Sequence, residues 1–243
     1  MIAVDAVPEF CEQAARRFSA EVRAGQLTIV NRAIVDRPGP VTFYTNPNSE
    51  WGTVHPAWAD RNALPGSPSP SQITVEGITA ASIFGEHRDP YYVKVDIEGS
   101  DRLVLEALRG LDRLPKFVSF ESEGVSWQAL LAEFDLLEQL GYRRFKIVAQ
   151  HNVPRQVAPN PPLEGEYADL RLSLGSSGLF GEEAPGRWLT RDQAVATYRL
   201  IFATYRLLGG WIDRKRDPLS LGLRGIRKVL RPRGNWYDTH AGR

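Results

Sequence analysis

The first 150 residues alternate between short apolar runs and segments in which apolar residues recur at helical spacing. The short runs predict strands, and they cover residues 2–5, 27–30, 91–96, 116–121 and 144–148. The helical segments begin near Pro8, Ser100 and Ser126, residue types that favour the first turn or the N-cap of a helix. Strands separated by helices predict βαβ units, and hence an α/β fold with a mostly parallel sheet and helices on both faces.

Two further features follow the second predicted strand. Residues 33–35, the turn Arg37-Pro38-Gly39 and the alternating residues 41–44 together predict a β-hairpin. Residues 45–72 are a long polar segment rich in Pro, Ser and Asn. A segment of this length predicts a loop that either covers a binding site or is poorly ordered.

The last part of the chain has a different pattern. Pro- and Gly-rich loops follow His151, and the sequence Ala-Thr-Tyr-Arg-Leu, at 196–200 and again at 203–207, predicts a single helix. Residues 219–230 place leucine and isoleucine on one side and Arg and Lys on the other, which predicts an amphipathic, basic helix docked on the body. We therefore expect an α/β domain over residues 1–190 and a basic, helical C-terminal extension over residues 191–243.

Charge and composition argue against several functional classes of protein for this chain. The 243 residues carry a formal net charge of +1, but residues 211–243 hold nine Lys or Arg and three Asp, a net charge of +6. These basic residues lack interleaved aromatic residues, so nucleic-acid binding is not expected. The single cysteine, Cys11, predicts a small buried apolar residue and suits a reducing compartment. No run of about 20 apolar residues and no secretory signal is present, which favours a cytoplasmic protein.

Acidic residues lie where three predicted strands end. Asp5, Asp96 and Glu121 each occupy such a position, and ligands of parallel α/β sheets bind at the carboxyl ends of strands. Asp5 could accept hydrogen bonds from ribose hydroxyls, or it could cap the next helix. Lys94, Asp96 and Glu98 could orient and deprotonate a hydroxyl group, or they could represent a capping Asp with a Lys–Glu pair. No metal is required, although Asp96, Glu98 and Glu121 could together hold a hard cation.

The sequence Lys94-Val95-Asp96-Ile97-Glu98-Gly99 resembles the central signature of the FkbM-type S-adenosylmethionine-dependent methyltransferases. Residues 2–8 resemble the family's second strand with its ribose-binding acid, and residues 31–34 resemble its next strand. Residues 78–83 resemble the segment that precedes the signature. Residues 176–183 and 236–241 are similar to late elements of relatives, so the resemblance extends over nearly the whole chain.

The resemblance implies a class I methyltransferase-like, Rossmann-type fold and methyl transfer from S-adenosylmethionine to a hydroxyl oxygen. The acceptor would be a sugar, polyketide or related metabolite, free or bound to a carrier. Asp5, Asn31, Ala33 and Asp96 would bind the cofactor, and Lys94, Asp96 and Glu98 would form the catalytic site. The general base is left open among Asp96, Glu121 and His151.

One expected feature of such enzymes is absent from the sequence. A first strand with a Gly-rich turn normally approaches the methionine part of the cofactor, and no such turn precedes Asp5. We therefore expect a fold that is incomplete at its N-terminal βα unit, either because a longer product exists or because the chain is a remnant. The alternative function is a non-catalytic α/β binding module that does not bind the cofactor.

Overall fold

The computed structural model describes residues 1–45, 52–56, 58–59, 70–87, 89–122, 124, 126–208 and 236–243. Over these residues the chain forms two units. The first unit comprises Met1–Pro90 with Val95–Leu114, and the second comprises Tyr91–Lys94 with Pro115–Arg243. Among the described residues, no helix has the length and hydropathy that crossing a membrane requires. The predicted basic helix at 219–230 lies outside the described residues.

The first unit begins with a parallel strand pair. Strands β1 (Ile2–Asp5) and β2 (Thr28–Asn31) pair in parallel, with Asp5 opposite Asn31 at their carboxyl ends. Helices α1 (Pro8–Arg17) and α2 (Ser19–Arg23) connect them. Pro8 occupies the first turn of α1, where its missing N–H leaves no helix bond unmade. The predicted βαβ unit is confirmed here.

A three-stranded sheet follows, and it corrects the predicted hairpin. Strands β3 (Ala33–Ile34) and β4 (Gly39–Thr45) do not pair with each other, because β5 (Ser71–Ile78) lies between them. Strand β5 is parallel to β3 and antiparallel to β4. The predicted loop over 45–72 was therefore too long at both ends, since Thr45 and residues 71–72 belong to strands.

The core of this unit explains why β5 takes the central position. Val75 of β5 packs with Val35 and Phe43, and Ala6 and Ala33 join the same buried cluster. Gly77 of β5 faces Gly39 of β4, and a Cβ atom at Gly77 would lie 2.5 Å from Cγ2 of Val35. The close packing of Val35 against β5 thus requires a residue without a side chain.

Two helices complete the first unit. Helix α3 (Ala80–Glu86) begins after Thr79, whose hydroxyl accepts a hydrogen bond from Ser82 N at 3.1 Å. Helix α4 (Asp101–Ala107) follows Ser100 and continues as a 3₁₀ turn over Leu108–Gly110. Ser100 occupies the N-cap as predicted, but its hydroxyl makes no cap hydrogen bond.

The second unit is built on a four-stranded sheet in the order β6-β7-β9-β8. Its strands are β6 (Tyr92–Val95), β7 (Phe117–Glu121), β8 (Arg144–Ala149) and β9 (Tyr237–Gly242). Strand β9 is antiparallel to both β7 and β8 and lies between them. The sequence predicts a helical extension over residues 191–243, and β9 at the end of that range corrects this expectation. The boundary predicted at residue 190 stays a prediction.

Two helices pack against this sheet. Helix α5 (Trp127–Gln139) is capped by Ser126, which accepts a hydrogen bond from Ala129 N at 3.2 Å. Helix α6 (Arg191–Leu208) confirms the helix predicted from the repeated pentapeptide. Phe134 of α5 contacts Phe145 of β8 and Tyr198 of α6 edge to face. These aromatic contacts form the apolar layer of the unit.

The fold is mixed α/β. The β1–β2 and β3–β5 pairs are parallel, whereas the β4–β5, β7–β9 and β8–β9 pairs are antiparallel. These pairings therefore do not form the mostly parallel sheet that the sequence predicts. Strand β5 is antiparallel to β4, and β9 is antiparallel to both β7 and β8.

Candidate functional site

A cavity of about 340 Å³ lies in the first unit, where the carboxyl end of β1 meets the loop that follows β6. This volume falls at the lower end of the roughly 300–1,000 Å³ typical of small-molecule sites. The lining combines apolar side chains with three carboxylates and one guanidinium. It consists of residues 4–7, Phe10, residues 32–34, Phe43, Gly52, Val54, residues 96–98 and Ser100.

The carboxylate of Asp5 stands at the end of β1 and is exposed. Its Oδ1 atom accepts a hydrogen bond from Val7 N at 2.8 Å, and Oδ2 accepts none from the residues that the structure describes. Partial desolvation raises the pKa of Asp5, and the Val7 hydrogen bond opposes that rise. Asp5 therefore presents one carboxylate oxygen that is already fixed and one that can accept hydrogen bonds from a ligand.

Asn31, which was predicted to bind the cofactor, has a different position. It does not belong to the cavity lining, and its Nδ2 atom donates to the carbonyl oxygens of Asp5 and Ala6, each at 3.1 Å. Arg32 N also donates to Asp5 O, at 3.0 Å. Asn31 thus fixes the backbone that carries Asp5, while Ala33 lines the cavity directly.

The turn after β6 brings two further carboxylates to the same cavity. Asp96 and Glu98 both line it, together with Asp5. Glu98 has φ 47° and Gly99 has φ 98°, so two consecutive residues adopt left-handed conformations. For a residue with a side chain this conformation costs about 1–3 kcal/mol and persists only where other contacts hold it. The N-cap of α4 is Ser100. Asp96 is therefore not a helix-capping residue, as the alternative interpretation of Lys94, Asp96 and Glu98 required.

Three residues of the segment 52–59, namely Thr53, His55 and Trp58, hold this turn in place, and no motif in the sequence predicts them. The Oγ1 atom of Thr53 donates to Glu98 O at 2.8 Å, and Nε2 of His55 lies 2.9 Å from Oγ of Ser100. The Trp58 indole covers Gly99, because a Cβ atom there would lie 2.7 Å from Cε2 of Trp58. No local periodicity marks Thr53, His55 or Trp58, since their partners lie more than 40 residues further along the chain.

The second unit contains Lys94, the other predicted catalytic residue. Its Nζ atom lies 2.6 Å from Oδ2 of Asp238, and the Asp238 side chain is only 2% exposed. Glu121, at the end of β7, and His151, in the 3₁₀ helix Gln150–Arg155, also belong to this unit. Nδ1 of His151 is buried and has no hydrogen-bond partner among the described residues.

Comparison with known proteins identifies the family. Residues 1–144 match the methyltransferase FkbM domain, and this match covers more than half of the chain. The chain belongs to the FkbM methyltransferase family. No curated protein and no solved structure matches it.

The FkbM match contains the predicted cofactor-binding and catalytic residues from Asp5 to Glu98 and the segment 52–59, whereas His151, a candidate general base, lies outside it. The match ends at residue 144, which is the first residue of β8. The resemblance of residues 176–183 and 236–241 to late FkbM elements therefore stays a prediction. The cavity of the first unit lies wholly inside the part of the chain that defines the family.

Proposed function

We propose that this FkbM family member binds S-adenosylmethionine in the cavity of the first unit and transfers a methyl group to a hydroxyl oxygen. The acceptor would be a small metabolite such as a sugar or polyketide, free or carried on a protein, and the reaction would take place in the cytoplasm. One observation supports this proposal above the others: Asp5, Asp96 and Glu98 line one cavity in a chain of a methyltransferase family. The proposed function includes a class I methyltransferase-like, Rossmann-type fold.

The residues around the cavity fit such a cofactor. The open Oδ2 atom of Asp5 can accept hydrogen bonds from a pair of ribose hydroxyls. Apolar side chains, among them Ile34 and Phe43, offer a surface for a flat heterocycle, and Ala33 leaves room beside them. When bound, S-adenosylmethionine supplies an electrophilic methyl group on a positively charged sulfonium.

Asp96 and Glu98 have the charge that this ligand requires. Two carboxylates beside a cationic sulfur lower its free energy in the cavity, because opposite charges interact more strongly where water is partly excluded. A carboxylate can also accept the proton of the acceptor hydroxyl. The remaining contribution of the chain is to hold the acceptor oxygen in line with the methyl group.

Isothermal titration calorimetry tests the proposal. We expect the chain to bind S-adenosylmethionine, and Asp5→Asn to weaken binding by about tenfold, which corresponds to about 1.4 kcal/mol. Asn keeps an oxygen for Val7 N but loses the charge. Asp36→Asn is the matched control, because Asp36 is exposed and does not line the cavity.

Two outcomes reject the proposal. If the wild-type chain and a chain extended upstream both release no heat with S-adenosylmethionine, the protein is a binding module without this cofactor. If Asp5→Asn and Asp36→Asn bind as tightly as the wild type, the cofactor does not occupy this cavity.

A further inference from the structure

Thr53 lies outside the cavity lining but is connected to it through two hydrogen bonds of its hydroxyl group. Its side chain is buried, with the residue only 1% exposed. The Oγ1 atom donates to Glu98 O at 2.8 Å and accepts from His55 N at 3.1 Å. A single buried hydroxyl therefore joins the segment 52–59 to the left-handed turn.

The backbone of Thr53 is itself firmly held. Thr53 N donates to Tyr44 O at 3.0 Å, and Tyr44 N donates to Thr53 O at 2.8 Å, so Thr53 forms an antiparallel bridge with β4. The three-stranded sheet thereby provides a rigid support for the hydroxyl group. A hydrogen bond from a rigid support stabilises an unfavourable conformation more than one from a mobile side chain, because little additional ordering is needed.

The hydrogen bond acts on the residue with the least favourable backbone in the turn. Glu98 has φ 47° although it carries a side chain, and its carbonyl is the group that Thr53 fixes. The direction of a side chain follows from the backbone at its Cα atom. Release of the Glu98 carbonyl would let the residue return to a right-handed conformation and move its carboxylate relative to the cavity.

We infer that Thr53 is a positioning residue that holds the Glu98 carboxylate toward a cationic ligand in the cavity. This inference rests on the proposed function for the identity of the ligand, and on the Thr53 and Glu98 geometry for the mechanism. Thr53 does not touch the cavity, so its effect on a ligand passes through Glu98. The sequence gives no sign of this role, because the two residues are 45 positions apart.

The experiment compares two substitutions at Thr53 with a control on the same sheet. Thr53→Val removes the hydroxyl group and keeps the side-chain shape, whereas Thr53→Ser keeps the hydroxyl. Thr42→Val makes the same chemical change at an exposed position of β4. We expect Thr53→Val to weaken S-adenosylmethionine binding by about tenfold, a difference of about 1.4 kcal/mol. Thr53→Ser and Thr42→Val should remain close to the wild type.

A charge-selective measurement separates positioning from a general structural role. S-adenosylhomocysteine has a neutral sulfur, so the Glu98 carboxylate contributes less to its binding. Thr53→Val should therefore weaken binding of S-adenosylmethionine more than that of S-adenosylhomocysteine. Equal losses for both ligands would mean that Thr53 only maintains the shape of the cavity, and would overturn the inference.

A double-mutant cycle provides a second test of whether Thr53 acts through Glu98. In a Glu98→Gln background, where the charge is already absent, Thr53→Val should cause little further loss of S-adenosylmethionine binding. Additive losses would show that Thr53 acts independently of Glu98, which contradicts the inference.

Amide hydrogen exchange of the unliganded protein distinguishes failure of this inference from failure of the proposed function. We expect Thr53→Val, but not Thr53→Ser, to accelerate exchange by about tenfold at the amide of Leu103, which donates to Ser100 O at 2.9 Å, since the turn that ends at Ser100 opens more often. If the wild type does not bind S-adenosylmethionine but this acceleration is seen, the cofactor assignment is wrong and the positioning of Glu98 stands. Unchanged exchange in Thr53→Val would overturn the positioning role itself.

Discussion

The Nζ atom of Lys94 lies 2.6 Å from Oδ2 of Asp238, which joins the signature lysine to a residue 144 positions later. Lys94 belongs to β6 and Asp238 to β9, and both lie in the second unit. Their side chains are 18% and 2% exposed, so water screens the pair only weakly. The last strand of the chain therefore fixes the position of a residue at the start of the signature.

We expect Asp238→Asn to lower the free energy of unfolding by about 3 kcal/mol, because it leaves the Lys94 ammonium beside a neutral partner in a mostly buried place. Urea denaturation measures this loss. Asp169→Asn, an exposed position of the same unit, is the control and should change stability by less than about 0.5 kcal/mol. Stability of Asp238→Asn equal to that of the control would show that the ion pair contributes nothing.

His240 makes the second unit sensitive to acid. It is 2% exposed, both of its ring nitrogens lack hydrogen-bond partners among the described residues, and it lies opposite Ser119 and Lys146 in the sheet. Burial, and to a smaller extent the charges of Lys94 and Lys146, lower the pKa of His240 to about 3. Because the pKa in the unfolded chain is about 6.5, protons bind the unfolded state preferentially.

The stability that neutral His240 provides is therefore present above pH 6.5 and is lost as the pH falls from there towards 3. His240→Gln cannot be protonated, so its stability should fall less steeply over this range, as measured by urea denaturation at several pH values. His87→Gln is the control and should keep the wild-type slope. An NMR titration of wild-type His240 gives an independent check, since a midpoint near pH 6.5 would contradict the prediction.

Local sequence predicted the elements whose residues interact with near neighbours. Helix α5 shows this, since its apolar spacing and the cap at Ser126 are both local signals. Strand β9 shows the opposite, because its sequence Tyr-Asp-Thr-His-Ala-Gly contains three polar residues that are nevertheless buried. Thr239 is stabilised there by the hydroxyls of Ser122 and Tyr198, at 2.7 and 2.8 Å, which local periodicity does not show.

The candidate site also contains residues that local sequence predicts and residues that depend on long-range contacts. Asp5 ends β1, and Asp96 and Glu98 follow β6, so their common location at one cavity could be anticipated from strand ends. The residues that hold the turn, Thr53 and Trp58, come from a segment without periodicity, and only the folded chain brings them to Glu98 and Gly99.

Gly99→Ala should disrupt the signature turn. Gly99 has φ 98°, and a Cβ atom there would lie 2.7 Å from the Trp58 indole, so both the backbone and the packing oppose a side chain. We expect a loss of about 1–3 kcal/mol in unfolding free energy and weaker S-adenosylmethionine binding. Gly110→Ala is the control, because a Cβ atom at Gly110 meets nothing within 4 Å. Equal stability of the two variants in urea denaturation would contradict this prediction.

Asn31→Ala should weaken the support of Asp5. The Nδ2 atom of Asn31 donates to the carbonyl oxygens of Asp5 and Ala6, each at 3.1 Å, and a net contribution of about 1 kcal/mol per hydrogen bond is typical. We expect a loss of about 1–2 kcal/mol in unfolding free energy and about threefold weaker S-adenosylmethionine binding, because the strand end that presents Asp5 becomes less ordered. Gln26→Ala, an exposed amide side chain of the same unit, should change neither quantity.

Asn31→Asp separates the hydrogen bonds from the packing of the side chain. An aspartate has almost the same shape, but its carboxylate cannot donate and would face two carbonyl oxygens, so the charged form is repelled. This variant should therefore lose more stability than Asn31→Ala at neutral pH and recover part of it as the pH falls below the pKa of the new carboxyl, which the repulsion raises. Urea denaturation at pH 7 and pH 4 measures both effects. If Asn31→Asp is as stable as the wild type at pH 7, the Asn31 amide does not hold the end of β1.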